Sequence, residues 1–327
     1  MHPDKPFMTI DQQIDIISSR NVKIERDFFT YESLSSISYY TLMNGYKNTF
    51  LAGEDDDFAD GTTFEMIYTC HWLDISLSNI ILKYILLIEK SLKTKLSYVV
   101  SERYGVRETE YLYFKNYANP NASRSGTITE IKKVLSNPKK NSVTAYYKSK
   151  KNHVPPWILV NDLMFGLTIQ WYTILKGSEK EYICSDIFKH FNLVLSTENQ
   201  KEFLKNGLIM VKDFRNKVAH GSRTLNLKLQ KQLPNNSLFL MIEHNTLTKK
   251  EFNNGLGKND LFSVMLIILI LLNDNFQLNN FVTELDFLLT PYAERKTNFN
   301  GKNIYQLFNL PENIIDRMKA INDLKRM

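Results

Sequence analysis

A chain of 327 residues with 43% hydrophobic and 12% aromatic content can bury a large core, which excludes a wholly disordered protein, and nine prolines and twelve glycines leave room for long helices. Two cysteines, Cys70 and Cys184, supply neither a disulfide framework nor a zinc quartet, and the six histidines show no ligand spacing, so neither metal nor cofactor is expected. The net charge of +6 suits a polyanionic partner, although many unrelated proteins carry as much.

The expected class is mainly α. Met1-His2-Pro3-Asp4-Lys5-Pro6 lacks the basic, apolar and small-residue parts of a signal peptide. The longest unbroken apolar run, Val264 to Leu272, is about half a membrane span. A cytoplasmic location, buried reduced thiols and no membrane partner are the expectations.

Thr9 caps a predicted helix through Ile17, with Ile10, Ile14 and Ile17 on one stripe and Asp11 and Asp15 near its positive end. A short helix is expected near Tyr31. The segment Ser38 to Tyr46 is dense in aromatics, which either pack in a core or, beside Lys47, stack on bases. Glu54-Asp55-Asp56-Asp57 reads as a solvated linker, because the EF-hand ligand spacing is absent.

From Phe64 to Glu102 apolar residues keep helical periodicity, which predicts one long central helix or two nearly continuous ones. Glu89 interrupts this apolar stretch and is a candidate partner for a basic group of the active site. Between Asn116 and His153 the composition shifts to Asn, Ser, Gly, Pro and lysine, and an exposed basic insertion with a short helix is expected. Lys139, Lys140, Lys148, Lys150 and Lys151, with Tyr146 and Tyr147, suit RNA contacts or a solubilising loop.

After Pro155-Pro156 a helix is expected to about Lys176, with Trp157, Val160, Leu163, Met164, Leu167, Trp171 and Leu175 facing the core. Another spans roughly Ser178 to Phe191. Ser196-Thr197-Glu198-Asn199 then supplies the N-cap of an amphipathic helix carrying Leu204, Leu208, Val211, Phe214 and Val218, ended by Gly221. Beyond it Leu238 to Ile242 reads as a short strand, Asp260 caps an all-round apolar helix, a further helix covers Asn279 to Leu289, and Ile314 to Leu324 reads as a surface helix or a dimer contact.

The best acid–base residue, His220, ends the capped helix beside unpaired carbonyls and the fixed cations Arg215, Lys217 and Arg223, with Lys212 one turn further back. A histidine so placed can exchange protons with a ribose 2′-hydroxyl or a leaving 5′-oxygen, while a guanidinium steadies the phosphate between them. The alternative is an arginine paired with an acidic neighbour and a histidine that only caps a helix. On a regular helix, positions five apart are roughly 140° apart around the axis. Arg215 and His220 therefore need a distorted last turn or a second copy to address one phosphate, and the chain has no other Arg-x4–6-His.

Arg215-Asn216-x-x-Ala219-His220 at the end of an apolar helix resembles the Arg-x4–6-His signature of HEPN domains. That resemblance implies a catalytic Arg215 and His220, with polar Asn216 beside them, in a metal-independent endoribonuclease whose site is assembled from two such domains. Tyr39-Tyr40-x-x-Met43-x-Gly45-Tyr46, Ile88-Glu89-Lys90-Ser91-Leu92-Lys93, Pro155-Pro156-Trp157 and Phe165-Gly166-Leu167 occur in the order seen in the bacterial abortive-infection Abi family of the AbiD/AbiF type, which the chain resembles over about two thirds of its length.

The resemblance implies a HEPN-like helical bundle, expected at 61–290 after an N-terminal helical extension at 1–60, whereas the basic insertion at 116–153 and the tail at 291–327 lie outside the resemblance. It also implies phage defence by RNA cleavage, in the manner of a toxin–antitoxin system, with a small noncoding RNA as a partner and a homodimer as the working form. A tyrosine that accompanies nucleotidyltransferase control in HEPN proteins is missing, since Gly221, Ser222 and Arg223 follow the histidine. The expected roles are proton handling by His220, phosphate stabilisation by Arg215, and RNA binding by Lys212, Lys217, Arg223, Lys139, Lys140, Lys148, Lys150 and Lys151. The rival reading is a noncatalytic RNA-binding module.

Overall fold

A computed structural model describes residues 6–53, 57–191, 194–294 and 299–325. Residues 1–5 and most of the acidic run at 54–57 lie outside them. Among the described residues the structure is helical, with only isolated bridges in place of strands.

In chain order come α1 (Ile10–Ser19), α2 (Phe28–Ser36), a π-helical turn over Tyr40–Asn44, α3 (Gly45–Phe50) and α4 (Phe64–Tyr104). They are followed by α5 (Glu108–Tyr111), α6 (Arg124–Ser136), α7 (Val143–Lys150), α8 (Pro156–Asp162), α9 (Phe165–Ile174) and α10 (Gly177–Ile187). The rest is α11 (Thr197–Ala219), α12 (Asn235–Met241), α13 (Lys249–Asn253), α14 (Leu261–Leu271), α15 (Asn275–Leu289), α16 (Ile304–Phe308) and α17 (Ile314–Leu324).

The axis of the molecule is α4, a single helix of 41 residues and so roughly 60 Å long. Thr63 caps its start, and its buried stripe includes Ile67, Leu73, Leu77, Ile81, Tyr84, Ile88, Leu92 and Leu96. Helices α8, α9, α10, α11, α14 and α15 pack around it. Among the described residues, α4 is also the one helix long and apolar enough to cross a membrane, and half of its most apolar stretch is buried, as suits a core helix. Every residue of α14 is buried, as an all-round apolar sequence requires, and Asp260 caps it through the Ser263 amide. Cys70 and Cys184 are buried thiols.

The N-terminal segment is fastened to α4 by backbone pairing of Lys23 with Thr62 and Phe64. In its aromatic stretch Leu42, Met43 and Tyr46 are buried, whereas Tyr40 is exposed. Core packing therefore governs most of the stretch.

Four expectations need correction. Leu238 to Ile242 is not a strand but lies in and just after α12, because Leu238 and Met241 are buried three apart while Leu240 faces solvent. The helix expected from Pro156 to Lys176 is broken at Leu163 and Met164, which are extended. The break lets α8 pack on α4 and α7 while α9 packs on α6 and α11, and it leaves Trp157 and Met164 exposed rather than in the core. The basic insertion is two helices, α6 and α7, seated on α9 and α8 through Thr127, Ile128, Ile131 and Thr144. Finally, α17 is no surface helix: Ile314, Ile315, Met318 and Ile321 are buried against α14 and α15.

Candidate functional site around the end of α11

Helix α11 starts where the Ser196 side chain accepts the Asn199 amide, and its apolar face buries Phe203, Leu204, Leu208, Val211 and Phe214. It ends as the sequence predicts. Gly221, with φ +71°, takes the left-handed position, so that its amide reaches the Val218 carbonyl and the Ser222 amide reaches the Lys217 carbonyl, both at 2.9 Å. His220 is thereby fixed as the C-cap, directly after the last helical residue, Ala219, with its side chain exposed.

Arg215 and His220 open onto different clefts. Half-buried Arg215 borders a cleft of about 590 Å³ with Asn79, Leu86, Glu89 and Lys93 of α4 and Asn161 of α8. Its Nη1 donates to the Asn216 carbonyl oxygen, Oδ1, at 3.3 Å. Glu89 does not pair with this arginine. Its Oε1 meets Lys93 Nζ at 2.8 Å, while Oε2 is buried without a hydrogen-bond partner. His220 borders a cleft of about 520 Å³ with Ser38 and Thr41 from the N-terminal segment, His71, Asp74 and Ser78 of α4, and Arg223. Asn79 lines both clefts. The separation agrees with a regular helix rather than a distorted last turn.

Behind His220 lies a buried polar network. Asp74 Oδ1 accepts the Thr224 amide at 2.9 Å and the Thr224 hydroxyl, and Oδ2 accepts the Tyr46 hydroxyl at 3.1 Å. The Tyr46 oxygen is 3.0 Å from His71 Nδ1. Burial, then Asp74, pushes the Tyr46 phenol well above its ordinary pKa. Burial lowers that of His71 against the opposing pull of Asp74. The Arg223 guanidinium lies over the Tyr46 ring, 5.7 Å from its centre. The loop after α11 is thus clamped between the N-terminal segment and α4.

The other expected contacts are spread out. Lys212 is tied to Asp213 at 3.2 Å, and Lys217 is exposed in the last turn of α11. Lys139 and Lys140 occupy the turn between α6 and α7, Lys148 donates to the Ser136 carbonyl, and Lys150 and Lys151 end α7. All five are exposed. Helix α7 packs on α8, whose Asn161 borders the Arg215 cleft, so one helix separates the two basic groups. Among the described residues no three His, Cys, Asp or Glu side chains are grouped as metal ligands.

A family model described as Abi-like protein matches residues 32–226, more than half of the chain. The chain belongs to the Abi-like family. The Abi-like match begins in α2 and ends just past Thr224, so it takes in both clefts and the clamp and leaves α12 to α17 outside. Membership supports a role in abortive infection, a form of phage defence. No curated protein and no solved structure matches the chain.

Sequence reasoning missed His71, Asp74, Asn79 and Thr224. Asp74 carried a signal, since an acid one residue after Leu73 and three before Leu77 sits against the apolar stripe of α4 and must find partners there.

Proposed function

We propose that this Abi-like protein is a metal-independent endoribonuclease of the HEPN type, acting in phage defence as part of a toxin–antitoxin type system. The observation that carries the reading is that one rigid helix ends with Arg215 and His220 both opening onto clefts that share Asn79, while nearby cations, Lys217 and Arg223, face solvent. His220 moves protons, Arg215 stabilises charge on the phosphate, and Asn216, already bonded to Arg215, orients it. The nucleophile is the 2′-hydroxyl beside the scissile phosphate.

A homodimer completes the site. Along α4, Trp72, Ile75 and Leu86 are exposed, with Ile75 bordering the His220 cleft and Leu86 the Arg215 cleft, and a second copy covering them would set Arg215 of one protomer towards His220 of its partner. The lysines of α7 and the preceding turn give a surface for a small noncoding RNA.

The test is incubation of labelled RNA with the protein in EDTA. The expected products carry a 2′,3′-cyclic phosphate and a 5′-hydroxyl, and RNA with a 2′-deoxy sugar at the cut resists. A folded His220→Ala variant that cuts as fast as the parent removes the assignment. The exposed lysines and Tyr146 of α7 favour a second reading, a noncatalytic RNA-binding module, which predicts salt-sensitive binding with intact RNA.

A further inference from the structure

The clamp behind His220 fixes the hydrogens on a second histidine. The Asp74 carboxylate only accepts, and it takes the Thr224 amide, the Thr224 hydroxyl and the Tyr46 hydroxyl. Tyr46 has one hydroxyl hydrogen, and that hydrogen goes to Asp74. Its oxygen can therefore only accept from His71, which places the imidazole hydrogen on Nδ1 and the lone pair on Nε2. Burial, opposed by Asp74, lowers the pKa of this ring and so favours its neutral form. Nε2 makes no hydrogen bond among the described residues and is not one of the buried polar atoms left without a partner, so it is open to solvent, and His71 borders the same cleft as His220.

Resting on the endoribonuclease reading, we propose that His71 is a second acid–base residue of the cleft, accepting the proton of the ribose 2′-hydroxyl at Nε2 while His220 delivers one to the departing 5′-oxygen. The bond between the 2′-oxygen and phosphorus forms, and the bond between phosphorus and the 5′-oxygen breaks. One proton arrives on His71 and one leaves His220, and exchange with water restores both rings. Tyr46 and Asp74 are positioning residues: Asp74 fixes the Tyr46 hydroxyl, whose oxygen takes the place on Nδ1 that a carboxylate holds in a catalytic triad. The division of labour follows from placement: the enclosed ring with a fixed lone pair is the base, and the exposed ring at the end of α11 is the acid.

The decisive variant is His71→Asn, whose amide nitrogen can still donate to Tyr46 but which has no counterpart of Nε2. With RNA in EDTA it is expected to fold like the parent, to lose activity by about 100-fold or more, and to lose the acid-side limb of the kcat/KM profile. The titratable or charged groups around His71 are Tyr46 from α3, Cys70 and Asp74 from α4, and His220 and Arg223 from the loop after α11. Full activity with an unchanged profile in folded His71→Asn overturns the proposal while leaving His220 in place. Full activity in His220→Ala instead overturns the endoribonuclease reading. Should His71→Asn fail to fold, Tyr46→Phe, which frees His71 without removing it, is expected to lose about tenfold and to shift the same limb. If the parent cuts no RNA offered, histidine resonances are followed while adenosine 3′-monophosphate is added. Movement of the His71 ring supports the assignment and an unmoved ring overturns it.

Discussion

Asp74 and Thr224 lie 150 residues apart, and both the amide and the hydroxyl of Thr224 end on one oxygen of Asp74. The other oxygen holds Tyr46, so one buried carboxylate joins the N-terminal segment, the central helix and the loop that carries Arg223. Asp74→Ala leaves three donors without an acceptor and is expected to destabilise the fold by about 2–4 kcal/mol, with Asp74→Asn costing less. Urea denaturation measures the loss. Hydrogen exchange should show residues 220–226 opening first, and an unchanged urea midpoint in Asp74→Ala contradicts the clamp.

This clamp marks the limit of what was legible in the chain. Periodicity gave α4 and α14, and local capping chemistry gave both ends of α11, because apolar spacing and the Ser196 and Gly221 caps act over a few residues. The motif pair was visible for the same reason. The break at Leu163 and Met164 left no such signal, since both halves are apolar and only the different partners of α8 and α9 separate them. Asp74, His71 and Tyr46 acquire their roles only when Thr224 arrives from far along the chain.

If the site is built from Arg215 of one protomer and His220 of another, as proposed, mixtures of variants report it. Arg215→Ala and His220→Ala homodimers are then each expected to be inactive, while their mixed dimer keeps one intact site. Random re-pairing makes about half the dimers mixed, each with one working site, so about a quarter of parental activity is expected on co-refolding. Activity that stays at the level of the separate variants shows that each chain must supply both groups itself.

If the α7 surface holds RNA, its lysines act through phosphates and their loss is felt through salt. Replacing Lys148, Lys150 and Lys151 together with alanine should lower the slope of log affinity against log salt concentration by about 2 for a single strand. Fluorescence anisotropy at several salt concentrations measures it. The same triple variant should retain its thermal midpoint, because all three side chains are exposed. An unchanged slope would place the RNA elsewhere.

The approach of α11 to α14 depends on Gly207, where an added Cβ would sit 3.4 Å from Ile267 Cγ2. Alanine brings a helix-propensity gain of about 1 kcal/mol that offsets this crowding, so Gly207→Ala should be close to neutral. Gly207→Val adds two methyl groups against buried Ile267 and is expected to destabilise by about 1–3 kcal/mol. Thermal and urea unfolding separate the two variants, and equal stability for both would mean that α14 can shift.

Helix α17 is tied to α13 by Arg317, whose Nη2 donates to Glu251 Oε1 at 2.8 Å, while Glu251 Oε2 accepts from Thr248 in a capping box. Arg317 first, with Thr248, lowers the Glu251 carboxyl to about 2, against an ordinary 4.5. Between those values the unfolded chain binds the proton more readily than the folded one. The pair therefore stabilises fully above about pH 4.5, and its contribution is lost as the pH falls towards about 2. Arg317→Met removes the cause, so the gap in urea midpoint between parent and variant should be widest above pH 5 and narrow progressively as the pH falls towards about 2. A gap that stays constant over that range would assign the effect of Arg317 to its bond with the Thr246 carbonyl rather than to its charge.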